Sequence, residues 1–433
     1  MKYWNQRRKY QLIYMLVDLL SSMLIWGAFL IFRWLVYEGR VFSVDTILIP
    51  MFDFYWPLVL YPIGCVCVHY LSGYYLRPLR KRYTRELRRT FISAMIISLG
   101  AFFLIVIDDP TVGGHSERYL MSLVVLFLIQ FVGSYLPRLL VTFIAHKNDK
   151  DAPRRYTIRS MDEVDLFERE HAKYPYDEVI LDLKSNKKEN DIYVLINRLY
   201  PANVEISVVP SLYDMLTGAA IIEDVGDQPL IPITEHKMSD TELCVKRAFD
   251  VVASSMALIV LSPVYLLIAL AVWGTSRGPA FYRQERIGLH GIPFDIIKFR
   301  TMCVHAESEK PQLSLDNDPR VTKVGKFLRK YRLDELPQFW NILKGDMSIV
   351  GPRPERRYFI NQIEERAPYY CMIYKIRPGL TSWGPIRVGY TDTLEKMISR
   401  LNYDIVYVEN MSLGLDMKIM FYTLGVILNG KGK

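Results

Sequence analysis

The sequence predicts a three-part chain: an α-helical membrane bundle, a small Rossmann-like α/β domain, and a C-terminal α/β domain preceded by a kinked apolar helix. Three observations predict this. Four long apolar runs fill residues 1–145. A strand–helix–strand pattern occupies 146–235 with no comparable run. A fifth apolar stretch at about 249–273 is broken in its middle by Ser262-Pro263, and a polar, motif-rich segment follows it to residue 433.

The four runs cover 12–35, 55–75, 91–107 and 119–144. Each is long enough to cross a bilayer as a helix, the third near the lower limit. The segment Leu76–Thr90 holds seven Lys or Arg and one Glu, and the N-terminus carries Lys2, Arg7, Arg8 and Lys9. The other two loops, near 38–54 and 108–118, contain Asp45, Asp53, Asp108 and Asp109. Because basic loops stay on the cytoplasmic side, both ends of this module are expected in the cytoplasm. The basic N-terminus lacks a small-residue cleavage site and is expected to be retained. Asp18 and His69 sit within the spans, where an ionisable group is costly, and each is expected to lie near a helix end or to pair with a neighbouring helix.

Composition agrees with a membrane protein. Hydrophobic residues make up 51% of the chain, and the net charge of +8 comes from basic residues flanking apolar runs. That placement fits a membrane surface rather than a nucleic acid. The five cysteines (65, 67, 244, 303 and 371) form no paired framework. Cys65 and Cys67 read as small hydrophobes.

In the middle segment, EVILDL (178–183) and VEISVVP (204–210) read as strands, with the amphipathic DIYVLINRLY between them. No Gly-x-Gly-x-x-Gly follows a strand, so a structural or dimer-forming role is expected rather than nucleotide binding. Residues 226–240 read as linker. Beyond them, a proline inside the fifth run removes a backbone donor and kinks the helix. Two half-helices meeting there would enter and leave one leaflet from the same side.

The chemistry concentrates in Arg329–Glu355. Asp334 and Glu335 follow a basic run, and Arg353 stands between two prolines, nineteen residues after Asp334. A carboxylate binds hard divalent cations or attacks phosphorus, and an arginine fork matches phosphate oxygens. An Asp-Glu pair by itself is ordinary surface charge. Here Leu333, Leu336, Phe339, Trp340, Ile342 and Leu343 make its flanks apolar at helical spacing, so the pair sits at the edge of a buried stripe. Pro337 marks a helix start close to it. Arg329 is spaced to face the same site, and Pro378-Gly379-Leu380, between Arg377 and Arg387, reads as a turn.

LDELPQFWNILKGDMSIVGPRP (333–354) closely resembles the signature of the bacterial sugar transferases, the monotopic polyprenyl-phosphate phosphosugar transferases. The resemblance extends to FYRQERIGLHGIPFDIIKFRTM (281–302), IRPGLTSWGPI (376–386) and YDIVYVENMSLGLDMKIM (403–420), and so covers residues 241–433. It implies a re-entrant membrane helix at about 249–273 and a two-step reaction. Asp334 attacks the β-phosphorus of a UDP-sugar and UMP leaves; undecaprenyl phosphate then takes the phosphosugar. It implies Asp334 as nucleophile, Glu335 as metal ligand or proton acceptor, and Mg²⁺, with Mn²⁺ as the alternative, held by one or both carboxylates. It further implies that Lys298 and Arg300 sit at the site, joining Arg329, Arg353, Arg377 and Arg387 in meeting the phosphates. The expected setting is the cytoplasmic face of the bacterial inner membrane, with a homodimer as assembly and exopolysaccharide, capsule or O-antigen as product. A transporter would need broken helices or inward charges in the first four runs, where Asp18 and His69 are the two residues taken as candidates. Ser382 and Pro385 depart from many relatives and leave the sugar open.

Overall fold

The computed structural model describes residues 2–33, 35–36, 55–76, 83–106, 116–148, 154–174, 176–182, 189–202, 204–211, 229–234, 237–276, 278–303, 318–389 and 393–428. Asp45, Asp53, Asp108 and Asp109 lie outside them, as does most of the basic loop after Leu76. Contacts divide the chain into two compact units. One comprises Met1–Ala152 with Asp240–Val245, and the other Pro153–Ser239 with Lys246–Lys433.

The first unit is built from the helices Lys2–Arg33, Tyr55–Leu71, Tyr83–Ala101 (continued by a π turn, Phe102–Val106) and Ser116–Asn148. Three stretches are long and apolar enough to span a bilayer: Lys9–Arg33, Glu86–Leu104 and Arg118–Ala145. The second expected span is shorter, with 17 helical residues at Tyr55–Leu71. Its apolar face still joins the bundle, where Tyr61 and Cys65 pack with Ile25, Trp26, Phe29, Ile97 and Leu126.

A polar knot lies inside this apolar bundle. Arg138, within the fourth run, is fully buried and grips Asp18 through Nε–Oδ1 at 2.7 Å and Nη2–Oδ2 at 2.8 Å. Arg138 also donates to Thr90 Oγ1 at 3.1 Å and lies 3.9 Å from the centre of the Tyr74 ring. Tyr75 donates to Asp18 at 2.6 Å, and Tyr74 and Thr142 donate to Glu86. Asp18 is therefore paired with a neighbouring helix, as expected for a charge at this depth, and all four helices contribute to or flank the knot. Breaking such a buried pair strands one charge. Arg138→Leu should destabilise the helical unit by about 3–5 kcal/mol. Arg138→Leu combined with Asp18→Leu should recover most of that loss when melting is followed in detergent.

In the second unit, strands β1 (Arg155–Ile158), β2 (Glu178–Leu181) and β3 (Glu205–Val208) are parallel neighbours in that order. The helices Glu163–Lys173 and Glu189–Leu199 connect them. Ile231–Pro232, expected as linker, instead forms a short fourth strand, β4, antiparallel to β3. The proline falls on an edge, where a missing donor costs least.

The helix Asp240–Val260 is followed, after Leu261, by Ser262–Thr275 at an angle of 61°. Pro263 has no N–H to offer the Ile259 carbonyl, and the Ser262 hydroxyl bonds that carbonyl instead at 2.8 Å. The bend is thus stabilised locally by the two residues that cause it. Ile259, Val260, Leu266, Leu267 and Trp273 present a broad exposed apolar surface on both sides of it.

Beyond the bend come the antiparallel hairpin β5 (Phe281–Ile287) and β6 (Pro293–Phe299), then the helix Lys323–Lys330, a 3₁₀ turn at Leu333–Glu335 and the helix Gln338–Lys344. Strand β7 (Ser348–Val350) pairs in parallel with β8 (Gly379–Thr381). Pro378-Gly379-Leu380, expected as a turn, therefore leads into a strand. Gly351 and Gly379 permit that pairing: a Cβ on Gly379 would lie 2.1 Å from the Gly351 nitrogen. The helices Leu394–Glu409 and Leu413–Leu428 close the fold.

Candidate active site

The Asp334–Glu335 pair sits on a turn that hydrophobic packing holds in place. Leu333 and Leu336, on either side of the pair, pack with Ile268, Val272, Phe299 and Leu328. The Tyr265 hydroxyl donates to the Leu336 carbonyl at 2.7 Å. The turn is entered through Arg332, whose left-handed backbone (φ 53°) is uncommon for a residue with a side chain and reverses the chain after the helix Lys323–Lys330. Pro337 then leads into Gln338–Lys344, matching the helix start expected from the sequence. Both carboxylates are buried, at 9% exposure for Asp334 and 8% for Glu335. They are not surface charge.

The two carboxylates are treated differently by their neighbours. Glu335 Oε1 lies 3.2 Å from Lys298 Nζ and 3.2 Å from Arg353 Nη2, and its Oε2 lies 3.7 Å from Arg332 Nη1. Burial works against its charge, but Lys298, Arg353 and Arg332 together outweigh burial and hold Glu335 well below the ordinary carboxylate range. No hydrogen bond or ion pair engages the Asp334 carboxylate among the described residues. Burial, then the adjacent negative charge of Glu335, raises its pKa, and the more distant charges of Lys298, Arg329 and Arg353 only partly offset the rise. One carboxylate is locked and ionised; its neighbour is left with reactive lone pairs.

The expected cations divide into two groups. Lys298 on β6 and Arg353 in the Pro-Arg-Pro segment meet at Glu335, and Arg329 acts on Asp334 while its Nε donates to Thr301 at 2.9 Å. Arg300 is buried but turned the other way, donating to the backbone and hydroxyl oxygens of Ser276 at 2.8 Å each, at the end of the helix Ser262–Thr275. Arg377 donates to the Gly345 carbonyl at 2.9 Å, and Arg387 lies over the Trp383 ring at 4.9 Å. These last three do not line the cleft beside Glu335. That cleft is bounded by Arg286, Ile296, Lys298, Glu335, Gln338, Arg353, Pro354 and Gly379.

Sequence reasoning missed several residues that build the site. Arg286 bonds the Pro354 carbonyl at 3.1 Å and Glu355 at 3.0 Å, and Arg400 pairs with the same Glu355. Asp404 accepts from the backbone N–H of Gly384 at 3.0 Å and of Arg353 at 3.4 Å, and burial pushes its carboxyl up to about 6. Buried Asn341 clamps β6 to the helix Gln338–Lys344, accepting from Ile297 N at 3.1 Å and donating to the Asp295 carbonyl at 2.7 Å. Arg286 lies in YRQER and Arg400 and Asp404 in RLNYD, mixed polar stretches whose composition does not separate a clamp from a surface position.

Among the described residues, no group of three or more His, Cys, Asp or Glu side chains is placed to hold a metal. Mg²⁺ needs less from the protein, since one or two carboxylates plus substrate phosphate oxygens satisfy it. The Asp334–Glu335 pair fits that requirement.

The family model for bacterial sugar transferases matches residues 241–430. The chain is 35% identical over 257 residues to the UDP-N-acetylgalactosamine-undecaprenyl-phosphate N-acetylgalactosaminephosphotransferase of Aeromonas hydrophila, covering 59% of this chain and 60% of that one. It is 39% identical over 232 residues to a UDP-glucose:undecaprenyl-phosphate glucose-1-phosphate transferase of Klebsiella pneumoniae, covering 53% and 50%. To the transferase of that same name from Caulobacter vibrioides it is 43% identical over 185 residues, covering 42% of this chain and 69% of that one. The matches to the first two relatives thus span between half and three-fifths of their length. The chain belongs to the bacterial sugar transferase family.

The Asn341 clamp generates a direct test. Asn341→Ala removes the side-chain partner of the Ile297 N–H and of the Asp295 carbonyl, both part-buried bonds, and should cost about 1–3 kcal/mol. Chemical denaturation of the detergent-solubilised protein measures it, with Asn341→Asp expected to keep the bond from Ile297 N and lose those to the Asp295 carbonyl and Asp346.

Proposed function

We propose that this chain transfers a phosphosugar from a UDP-sugar to undecaprenyl phosphate through a covalent intermediate on Asp334. The observation that carries the reading is the asymmetry of the carboxylate pair: Glu335 is held by three cations, while Asp334 beside it carries no ion pair among the described residues. The printed names of the relatives, which are UDP-sugar and undecaprenyl-phosphate transferases, support the choice of substrates.

In the first step an Asp334 carboxylate oxygen attacks the β-phosphorus. An Asp–O–P bond forms, the bond from that phosphorus to the bridging oxygen breaks, and the electron pair leaves with UMP. In the second step an oxygen of the lipid phosphate attacks the same phosphorus and the Asp334 carboxylate is regenerated, leaving undecaprenyl-diphosphate-sugar. Lys298 and Arg353, already oriented by Glu335, offset the negative charge that accumulates between nucleophile and substrate. Mg²⁺ or Mn²⁺ held by Asp334 and Glu335 together with diphosphate oxygens would supply charge neutralisation at the leaving group. Arg300, Arg377 and Arg387 serve the reading at longer range, as supports of the surrounding loops.

The bent helix supports a membrane setting. Both halves expose apolar side chains, and Phe327 and Trp340 near the Asp334 turn are exposed as well. We read Asp240–Val260 and Ser262–Thr275 as a re-entrant pair in one leaflet, on the cytoplasmic face of the bacterial inner membrane. Asp334 then lies within reach of a lipid phosphate. The segment 146–235 is read as a Rossmann-like domain, with homodimer formation as its proposed role. Lipid-linked sugar made this way would begin exopolysaccharide, capsule or O-antigen synthesis.

Two measurements test the proposal. Asp334→Asn should abolish UMP release from the full-length protein given UDP-sugar, undecaprenyl phosphate and Mg²⁺; substantial residual release would sink the covalent route. Because only ionised Asp334 attacks and its pKa is raised, the acid limb of single-turnover UMP release should lie above the ordinary carboxylate range, with activity rising as pH rises through it. Glu335→Gln removes the like charge and should move any remaining limb to lower pH. Separately, single cysteines at Thr241 and Arg283, before and after the bend, should react with a membrane-impermeant thiol reagent only from the cytoplasmic side. Reaction of one from each side would mean a spanning helix.

A further inference from the structure

The cleft beside Glu335 contains two buried donors with nothing to donate to. Arg286 Nε and Gln338 Nε2 are both enclosed, both residues line the cleft, and neither nitrogen has an acceptor among the described residues. Native interiors rarely leave such donors unmet, and where they do a ligand or water usually completes them. The guanidinium of Arg286 cannot turn to find a partner. Its Nη1 is committed to Pro354 O and Glu355 Oε2, and its Nη2 to Gln284 Oε1 at 2.8 Å. Gln338 is 2% exposed and sits in the turn after Pro337, four residues from Asp334.

The missing group must be an acceptor, because both nitrogens donate. The charge of the wall says which kind. Arg286, Lys298 and Arg353 face a single lining carboxylate, Glu335, so the cleft favours an anion. We propose that Arg286 Nε–H and Gln338 Nε2–H together bind a phosphoryl oxygen of a substrate, making both residues part of the binding site for the reaction proposed above, on which this inference rests. The shared chemistry is a phosphoryl oxygen; the nucleotide diphosphate and the lipid phosphate are its two sources.

The role has a signature that a structural one lacks. Replacing an unmet buried amide by an apolar group of similar shape removes a donor that gains nothing from the fold, so stability should hold or rise while binding falls. The experiment uses the full chain in nanodiscs and compares wild type with Gln338→Met, Gln338→Glu and Arg286→Lys. Calorimetry measures binding of UDP and of inorganic pyrophosphate, neither of which requires turnover. Steady-state UMP release gives KM for UDP-sugar and for undecaprenyl phosphate.

Gln338→Met should weaken pyrophosphate or substrate binding about tenfold, equivalent to about 1.4 kcal/mol, with an unchanged or higher melting temperature. Gln338→Glu, which sets a like charge against the phosphoryl oxygen, should lose more than that. Arg286→Lys keeps the charge but lacks the second fixed N–H, and should fall between wild type and Gln338→Glu. A rise in KM for UDP-sugar with loss of UDP binding assigns the oxygen to the nucleotide; a rise in KM for undecaprenyl phosphate alone assigns it to the lipid. Binding and both KM values within about twofold of wild type in all variants overturn the inference. A Gln338→Met protein that melts several degrees lower also overturns it, because the amide then has a partner within the fold. If wild type releases no UMP yet the variants lose pyrophosphate binding, the transferase reading fails and the phosphoryl subsite stands.

Discussion

Glu335 is the member of the carboxylate pair that organises the site. It draws Lys298 from β6, Arg332 from the entry to the turn and Arg353 from the Pro-Arg-Pro segment onto one side chain. Three separate stretches of sequence are thereby fixed to one another at a place where their cations would otherwise repel. A buried ion pair gains little stability once desolvation is counted, so its value here is positional. The cations are ordered by the fold itself, so an anion bound among them would not have to meet the cost of ordering them.

That arrangement depends in turn on the bent helix. The turn carrying Asp334 and Glu335 is two leucines wide, and both leucines pack into a cluster that includes Ile268 and Val272 of Ser262–Thr275. Tyr265 from the same helix bonds the backbone at Leu336. A shift in the path of this helix is therefore transmitted to the carboxylates through direct packing. Pro263 and Ser262, which look remote from the carboxylate pair in sequence, set the height of Asp334 relative to the apolar surface exposed around it.

The parts legible in the sequence were those written in local patterns. Long apolar runs, strand–helix–strand alternation and the proline break each depend on neighbouring residues, and each appears in the fold. The Asp-Glu pair was legible because apolar flanks on both sides mark a charge that cannot be on the surface. What the sequence hid depends on distant pairing. Arg138 stands 120 residues from Asp18, inside a run read for its apolar length, and its partner explains its presence. Pro378-Gly379-Leu380 has the composition of a turn, yet Gly351 meets it from another segment and converts it to a strand. The six expected cations do not all meet at Glu335 for the same reason, since proximity in a motif does not say which way a guanidinium points. Arg300 and Arg377 spend bonds on backbone carbonyls instead.

The boundary between the middle segment and the C-terminal residues shows the same logic at a larger scale. All the chemical motifs lie beyond residue 241, which suggests a detachable catalytic segment. Yet Tyr193 packs edge-on against Tyr369, Tyr200 against Tyr374, and Asn197 donates to Glu364 at 3.0 Å. These contacts cover the 3₁₀ segment Pro368–Lys375, whose Tyr370, Cys371, Ile373 and Tyr374 are buried. That segment runs directly into Arg377 and β8, and β8 holds the Gly351–Pro352–Arg353 backbone through Gly351 N to Thr381 O at 3.0 Å and Gly379 N to Pro352 O at 2.9 Å. Arg353 thus rests on β8, β8 follows the 3₁₀ segment, and the 3₁₀ segment is covered by the middle segment's second helix. A change that loosens the middle segment has a physical route to a cation that touches Glu335, through packed side chains and two backbone hydrogen bonds.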